Sequence, residues 1–231
     1  MIEFDNVTKT VRVRGQPPRD VLSAVNLQIA ANRRIALLGP SVEDRMLVID
    51  MLAGIVLPTY GRIVRNCRVS FPAGFLGGFS AELSVRLNVA HTAKLYDVDP
   101  RTLVEFVERA ADMGQPFDKP FIELSNVLKR QLGLILTFAI PFDVYLMKYD
   151  LSRLRASPND RFRATCYGMF EARARSSGMI IAVTAPAFAR EYCDMALVVH
   201  RGQLIPFEDV DEAFVALERL RYSEAVAAFA R

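Results

Sequence analysis

The stretch Arg34-Ile-Ala-Leu-Leu-Gly-Pro-Ser-Val-Glu-Asp-Arg-Met-Leu-Val-Ile-Asp50, followed by Met51-Leu-Ala-Gly54, limits the fold more than any other part of this chain. Ile35 to Leu38 is an apolar run without polar alternation, the pattern of a strand buried on both faces of a parallel sheet. Gly39-Pro40 breaks it, and Met46 to Leu52 reads as a helix that closes near Gly54.

The rest of the chain has the alternation such a strand needs. Val144-Tyr-Leu-Met147 and Met179-Ile-Ile-Ala-Val-Thr184 are further buried strands. Helical patterns run from Leu128 to Ala139, Phe162 to Arg175, Pro186 to Tyr192 and Val210 to Ala228. Ile2 to Arg14 and Val21 to Ile29 alternate at period two, Arg62 to Arg65 is a short strand, and Met195 to Ile205 reads as a hairpin. A helical insert lies around residues 84–115, with a break at Asp97 to Pro100, and Phe71 to Phe79 and Arg153 to Asp160 read as loops. The pattern predicts an α/β fold: a parallel sheet core, an N-terminal antiparallel β layer and a helical subdomain at about 80–140, all within one domain spanning 1–231.

Composition narrows the setting. With 52% hydrophobic and 24% charged residues over 231 positions, the chain is globular and long enough for a large core. A net charge of +3 is too small to predict a nucleic-acid partner. Cys67, Cys166 and Cys193 are far apart, suit a reducing compartment, and make no metal spacing with His91 or His200. Met1-Ile-Glu-Phe does not open a signal peptide, and the longest apolar run, Leu132 to Phe142, is too short to span a bilayer. The expected location is cytoplasmic.

Strand, tight loop and helix are the layout of a phosphate-binding P-loop, G-x-x-x-x-G-K-[ST]. Here that loop is Gly39, Pro40, Ser41, Val42, Glu43, Asp44, Arg45, Met46 and Leu47. Only Gly39 and a cation at Arg45 survive; Asp44 replaces the second glycine and Met46 the hydroxyl that holds magnesium. A phosphate nest needs left-handed backbone, which costs a residue with a Cβ ~1–2 kcal/mol, and Val42, Glu43 and Asp44 all carry one. The carboxylates of Glu43 and Asp44 also oppose an anion, by about 4 kcal/mol at about 4 Å and an effective dielectric of about 20.

Almost the whole chain resembles the ATP-binding subunit of ABC transporters, most closely the branch that exports capsular polysaccharide. The stretches that carry the likeness are Met1-Ile-Glu-Phe-Asp-Asn-Val-Thr-Lys9, Leu57-Pro-Thr-Tyr-Gly-Arg-Ile63, Val69-Ser-Phe-Pro-Ala-Gly-Phe-Leu-Gly-Gly-Phe-Ser80, Glu191-Tyr-Cys-Asp-Met-Ala-Leu-Val-Val199 and Phe207-Glu-Asp-Val-Asp-Glu-Ala213. The resemblance implies a P-loop NTPase-like (ABC ATPase) core, with ATP and magnesium as the family's cofactors. It places the phosphate-binding lysine at Arg45, the magnesium-binding serine at Met46, and the base-stacking aromatic at Val11. The signature motif falls on Leu124, Ser125, Asn126, Val127 and Leu128, with Val127 where glycine belongs. The magnesium aspartate and catalytic glutamate fall on Lys148 and Tyr149, and the switch histidine on Ala185. No catalytic residue, metal site or cofactor is therefore expected. Phe71, Phe75 and Phe79 fall in the loop that leads to the membrane subunits, so they are candidates for docking an integral-membrane permease. A further partner would be an intact ATP-binding subunit, or a second copy of the chain.

Plainer readings stand beside these. Arg45 pairs a phosphate or, as expected here, forms a salt bridge with Asp50 or Glu43. Lys148 is a displaced base, a stand-in for the magnesium charge, or a lysine neutralised by Asp150 or Asp44. Ser125 meets a partner's nucleotide or caps its helix. The three phenylalanines dock or pack under the sheet. The basic run Arg153, Arg155, Arg161 and Arg163 meets an acidic polymer or lipid or, as expected, is a solvated face. Three functions compete: a degenerate subunit acting as a structural or regulatory partner in polysaccharide export, a working ATPase with unorthodox residues, and a scaffold with no transporter attached.

Overall fold

The computed structural model describes residues 1–15, 17–156 and 160–229. The chain divides into two compact units: one of residues 1–70, 143–152 and 176–231, the other of residues 71–142 and 153–175.

The first unit holds the strand–loop–helix stretch. β3 (Arg34–Leu38) lies between β7 (Gly178–Ala182) and β8 (Met195–His200), parallel to both, with Ile35 opposite Ile180 on one side and Met195 on the other. β6 (Val144–Met147) continues the parallel set beyond β7, and β9 (Gln203–Phe207) closes the far edge antiparallel to β8. With β5 (Val69–Pro72) the sheet runs β5-β6-β7-β3-β8-β9. β3, β6 and β7 are buried almost throughout, as strands of a two-sided parallel sheet must be. A separate antiparallel layer, in the order β2-β1-β4, is formed by β1 (Ile2–Val11), β2 (Arg19–Ile29) and β4 (Tyr60–Arg65). Ile2, Phe4 and Val25 from this layer join Ile35, Leu37, Val48, Leu52 and Leu197 in one core cluster. Burying each such side chain is worth about 1.5–3 kcal/mol.

α1 (Val42–Ala53) begins four residues earlier than its apolar pattern suggests, because Ser41 caps it and takes Glu43 and Asp44 into the first turn. Its other end stops at Gly54, whose left-handed conformation (φ 78°) only glycine adopts freely. Arg65 donates there to the carbonyls of Met51 (2.5 Å) and Leu52 (2.7 Å). α6 (Pro186–Tyr192) and α7 (Val210–Phe229) complete this unit.

The second unit contains α2 (Val85–Leu95), α3 (Pro100–Ala111), α4 (Asn126–Ala139) and α5 (Asp160–Ser176). Side-chain caps start three of them: Ser84 for α2, Asp99 for α3 and Ser125 for α4. Phe138 of α4 and Phe170 of α5 meet edge to face, and Arg173 donates to the Phe138 and Ala139 carbonyls at the end of α4.

The expected loop after Tyr149 is largely a 3-10 turn over Leu151–Ala156; Ser157 to Asn159 lie outside the described residues. β5 was not legible as a strand: four residues ending in proline give too short an alternation to stand out from a Phe- and Gly-rich loop.

Candidate functional site

The site is built around the N-terminus of α1. The Ser41 hydroxyl accepts from the Asp44 backbone N–H at 3.1 Å and donates to Glu43 at 3.2 Å. Glu43 and Asp44 thus set their own carboxylates against the positive end of the helix dipole. Asp44 is held further by Arg19 at the start of β2, in a two-pronged pair of 2.8 and 2.5 Å. These residues follow one another as the first turn of a helix, with no left-handed backbone at Val42 to Asp44.

Gly39 is required by packing. A Cβ there would stand 2.7 Å from the Val199 carbonyl oxygen of β8. Pro40, Ser41 and Asp44 face Arg19, Asp20 and Arg201 across a cleft of about 480 Å3.

Arg45 corrects an expectation. It forms no salt bridge with Asp50 or Glu43; its Nη1 donates to the Gly39 carbonyl at 2.7 Å, and its Nε has no partner among the described residues. Only 2% of the residue is exposed. Burial pushes its pKa below that of an ordinary arginine, and Arg221 adds to this while Glu43 opposes it. The guanidinium turns inward and binds the loop itself.

Lys148, at the end of β6, is paired neither with Asp150 nor with Asp44. Its Nζ lies 2.7 Å from Asp50 Oδ2 on α1. Asp150 instead accepts from the Ser152 backbone N–H and hydroxyl, and Asp44 belongs to Arg19. The carboxylate and cation of the site are therefore exchanged relative to the pattern the resemblance implies: acid on the helix, base on the strand. Met46 and Leu47 continue α1 and offer no hydroxyl. Tyr149 is half-exposed, and Ala185 precedes α6 without a side-chain cap. Among the described residues, no three His, Cys, Asp or Glu side chains gather as a metal site. The groups present do not fit a magnesium–phosphate pair: Arg45, the one buried cation among the described residues, faces a carbonyl, and the strand that the resemblance would end in an acid ends in a lysine.

In the second unit, Leu124 is buried and Ser125 caps α4, its Oγ accepting from the Leu128 N–H at 3.3 Å. Asn126 and Val127 are exposed. Phe71 packs against Tyr96 and Phe142, and Phe79 against Phe121, whereas Phe75 is 41% exposed. Arg161 and Arg163 pair with Asp112 and Asp160; the side chains of Arg153 and Arg155 lie outside the described residues.

Arg19 and Arg65 were missed in the sequence, and Asp50 was expected on Arg45 instead of Lys148. Asp50 and Lys148 are 98 positions apart, and no local pattern links them. Asp50 did lie on the polar side of a helix otherwise apolar from Met46 to Leu52, the one available hint.

A parallel sheet with a strand–loop–helix at its centre, an antiparallel layer and a helical unit define an ATP-binding cassette. Solved structures agree on the fold: a dimeric cassette, MJ0796, in a post-hydrolysis state bound to ADP and phosphate matches with a TM-score of 0.68 and 14% identity over 91% of this chain and 99% of that one. An ATP-binding subunit of an ABC transporter matches with a TM-score of 0.66 over 94% of both chains. No family model matches the chain. The polysialic acid transport ATP-binding protein KpsT of Escherichia coli is 30% identical over 90% of this chain and 91% of its own. The capsule polysaccharide export ATP-binding protein CtrD of Neisseria meningitidis is 30% identical over 93% and 97%, and the ATP-binding protein BexA of Haemophilus influenzae 29% over 93% and 96%. The chain belongs to the ABC-transporter ATP-binding proteins of capsule polysaccharide export. Among the described residues, no helix is long and apolar enough to cross a membrane.

Proposed function

We propose that this chain is a catalytically silent ATP-binding-cassette subunit of a capsular or cell-surface polysaccharide exporter. It serves as a structural or regulatory partner with little or no ATP hydrolysis of its own. It binds an integral-membrane permease from the cytoplasmic side and pairs with an intact ATP-binding subunit or a second copy of itself. The names of its relatives support the exporter role.

One observation carries the silent reading: Arg45, at the phosphate-binding position, is buried and bound to the Gly39 carbonyl of its own loop. Phosphoryl transfer depends on positioned cations that neutralise the developing charge. Here the P-loop cation is spent on a backbone oxygen, Lys148 on Asp50, and Arg19 on Asp44. The helix N-terminus that would meet a phosphate is complemented by Glu43 and Asp44.

Thermal melting of the purified chain with and without ATP and magnesium tests this. Ligand at 100 times Kd adds about 2.7 kcal/mol, or a rise of about 5–10 °C in a domain of this size. No shift and background turnover are expected; a shift that needs magnesium would overturn the reading. Arg45→Lys alone should restore nothing, because Met46, Lys148 and Tyr149 remain.

A further inference from the structure

The loop that carries Phe75 is anchored on both sides of that ring. On one side Gly74 has a left-handed backbone (φ 89°) and lies against Gly133 of α4, where a Cβ would stand 2.7 Å from the Gly74 carbonyl oxygen. Two glycines therefore let the loop backbone touch the helix. On the other side Asn88 of α2, 3% exposed, holds both backbone groups of Ser80. Its Oδ1 accepts from the Ser80 N–H at 2.7 Å, and its Nδ2 donates to the Ser80 carbonyl at 2.9 Å. The same Nδ2 reaches the Leu83 and Ser84 carbonyls at 3.2 and 3.1 Å. Between these anchors the chain makes two turns, with the Phe75 N–H donating to the Pro72 carbonyl and the Phe79 N–H to the Leu76 carbonyl.

Phe75 itself has a seat on Gly77. A Cβ added to Gly77 would overlap the Phe75 Cζ and stand 2.8 Å from Cε1 and Cε2; all three nearest atoms belong to that ring. Gly77 is not left-handed, so its backbone does not call for glycine. What glycine supplies there is room for the ring. At the neighbouring Gly78 a Cβ would meet nothing within 4 Å. Yet the seated ring is 41% exposed, whereas Phe71 and Phe79 are packed on other rings. A ring that served only to fill the core would be covered.

We propose that Gly77 is a positioning residue for docking: it fixes the exposed Phe75 ring in one orientation, on a loop held by Gly133 and Asn88, before the permease arrives. This rests on the reading that the loop meets an integral-membrane permease. Ordering a loose side chain on contact weakens binding about two- to tenfold, and a ring already seated avoids that loss.

The test uses the whole chain and the permease of the same exporter, co-expressed and reconstituted in nanodiscs. In the glycine-labelled chain alone, the Gly77 α-proton resonances should carry a ring-current shift that Phe75→Leu removes; resonances indifferent to that change would overturn the seat. Phe75→Ala should weaken permease binding about thirtyfold. Gly77→Ala should weaken it about two- to tenfold without lowering the melting temperature, since it displaces only the ring. In the Phe75→Ala background, Gly77→Ala should change nothing further, because its action passes through the ring. The inference alone is overturned if Phe75→Ala weakens binding and Gly77→Ala does not. It is also overturned if the two losses simply add, or if Gly77→Ala melts as early as it binds weakly. Parent-like binding by Phe75→Ala, or equal binding to nanodiscs without permease, would remove the docking reading and this inference with it.

Discussion

Lys148 Nζ stands 2.7 Å from Asp50 Oδ2, so a strand-borne cation and a helix-borne carboxylate close on each other behind the α1 loop. Asp50 Oδ1 has no other hydrogen bond among the described residues, which makes Lys148 its chief compensation. With the two side chains 29% and 18% exposed, their coupling is weaker than that of a fully buried pair. Lys148→Met should lower stability by about 1–3 kcal/mol, because a carboxylate loses its partner in a poorly solvated place. The double change Lys148→Met with Asp50→Leu should recover most of that loss. Urea denaturation of the four proteins measures this; two losses that simply add would mean that the residues do not depend on each other.

Arg45 should behave in the opposite way. A buried guanidinium with one carbonyl acceptor and no carboxylate is expensive to fold around. Arg45→Met fills the same space without a charge and should leave stability unchanged or raise it by about 1–2 kcal/mol. A marked fall in melting temperature would show that the guanidinium is held by something stronger than the Gly39 carbonyl.

These two residues also show where sequence reading stops. The buried strands, the cap at Ser125, and the hairpin of β8 and β9 follow from local pattern, since burial period and capping chemistry act over a few residues. The altered motif at Gly39 to Leu47 was legible for the same reason. What was not legible is who pairs with whom. Arg45 was expected on Asp50 or Glu43, yet Asp50 is held by Lys148 and Asp44 by Arg19, from β6 and β2. Which of several nearby carboxylates a cation takes is decided by register between strands far apart in sequence.

The aromatic loop can be divided by experiment. Phe71 and Phe79 are packed on other rings, and Phe75 is half-exposed. Phe71→Ala should therefore cost about 3 kcal/mol or more of stability, while Phe75→Ala should leave the melting temperature nearly unchanged. If this loop meets the permease, Phe75→Ala should weaken copurification by about 2 kcal/mol. Equal loss of stability in both variants would put Phe75 in the core.

The thiols give a further check on burial. Cys166 and Cys193 are buried, and burial pushes both up from 9.0 to about 12, with Asp194 adding to the rise at Cys193 and Arg34 opposing it. Cys67 is partly exposed. At neutral pH one thiol should react quickly with Ellman's reagent in the native protein, and three after unfolding. Both buried groups keep their protons to a higher pH folded than unfolded. Their contribution to stability is thus complete below about pH 9 and is lost as the pH rises toward 12. A stability that held constant across pH 9 to 11 would contradict this placement.

In the family the resemblance points to, each ATP lies between the P-loop of one subunit and the signature serine of the other. A homodimer of this chain would join two loops already filled by Arg45 and Glu43-Asp44, so any association should be independent of ATP. An attractive charge contact with Lys129 and Arg130 of a second copy would rest mainly on Glu43, since Asp44 is held by Arg19 at 2.8 and 2.5 Å. Lys129 is itself drawn to the Phe121 ring, 4.9 Å away. Such a homodimer should be weak and salt-sensitive. With an intact ATP-binding subunit the two sites differ. Ser125 uses its oxygen as an acceptor in the α4 cap and keeps its hydroxyl proton free to donate, so the side of the site it supplies is still serviceable. Val127, exposed by 58%, stands where the resemblance places a glycine. The other site depends on Glu43 to Met46 and should stay empty. Equilibrium dialysis with labelled nucleotide should count one ATP per heterodimer. Two would show that the Arg45 loop still takes phosphate and would overturn the silent reading, and a failure of the chains to pair would favour a role apart from the transporter.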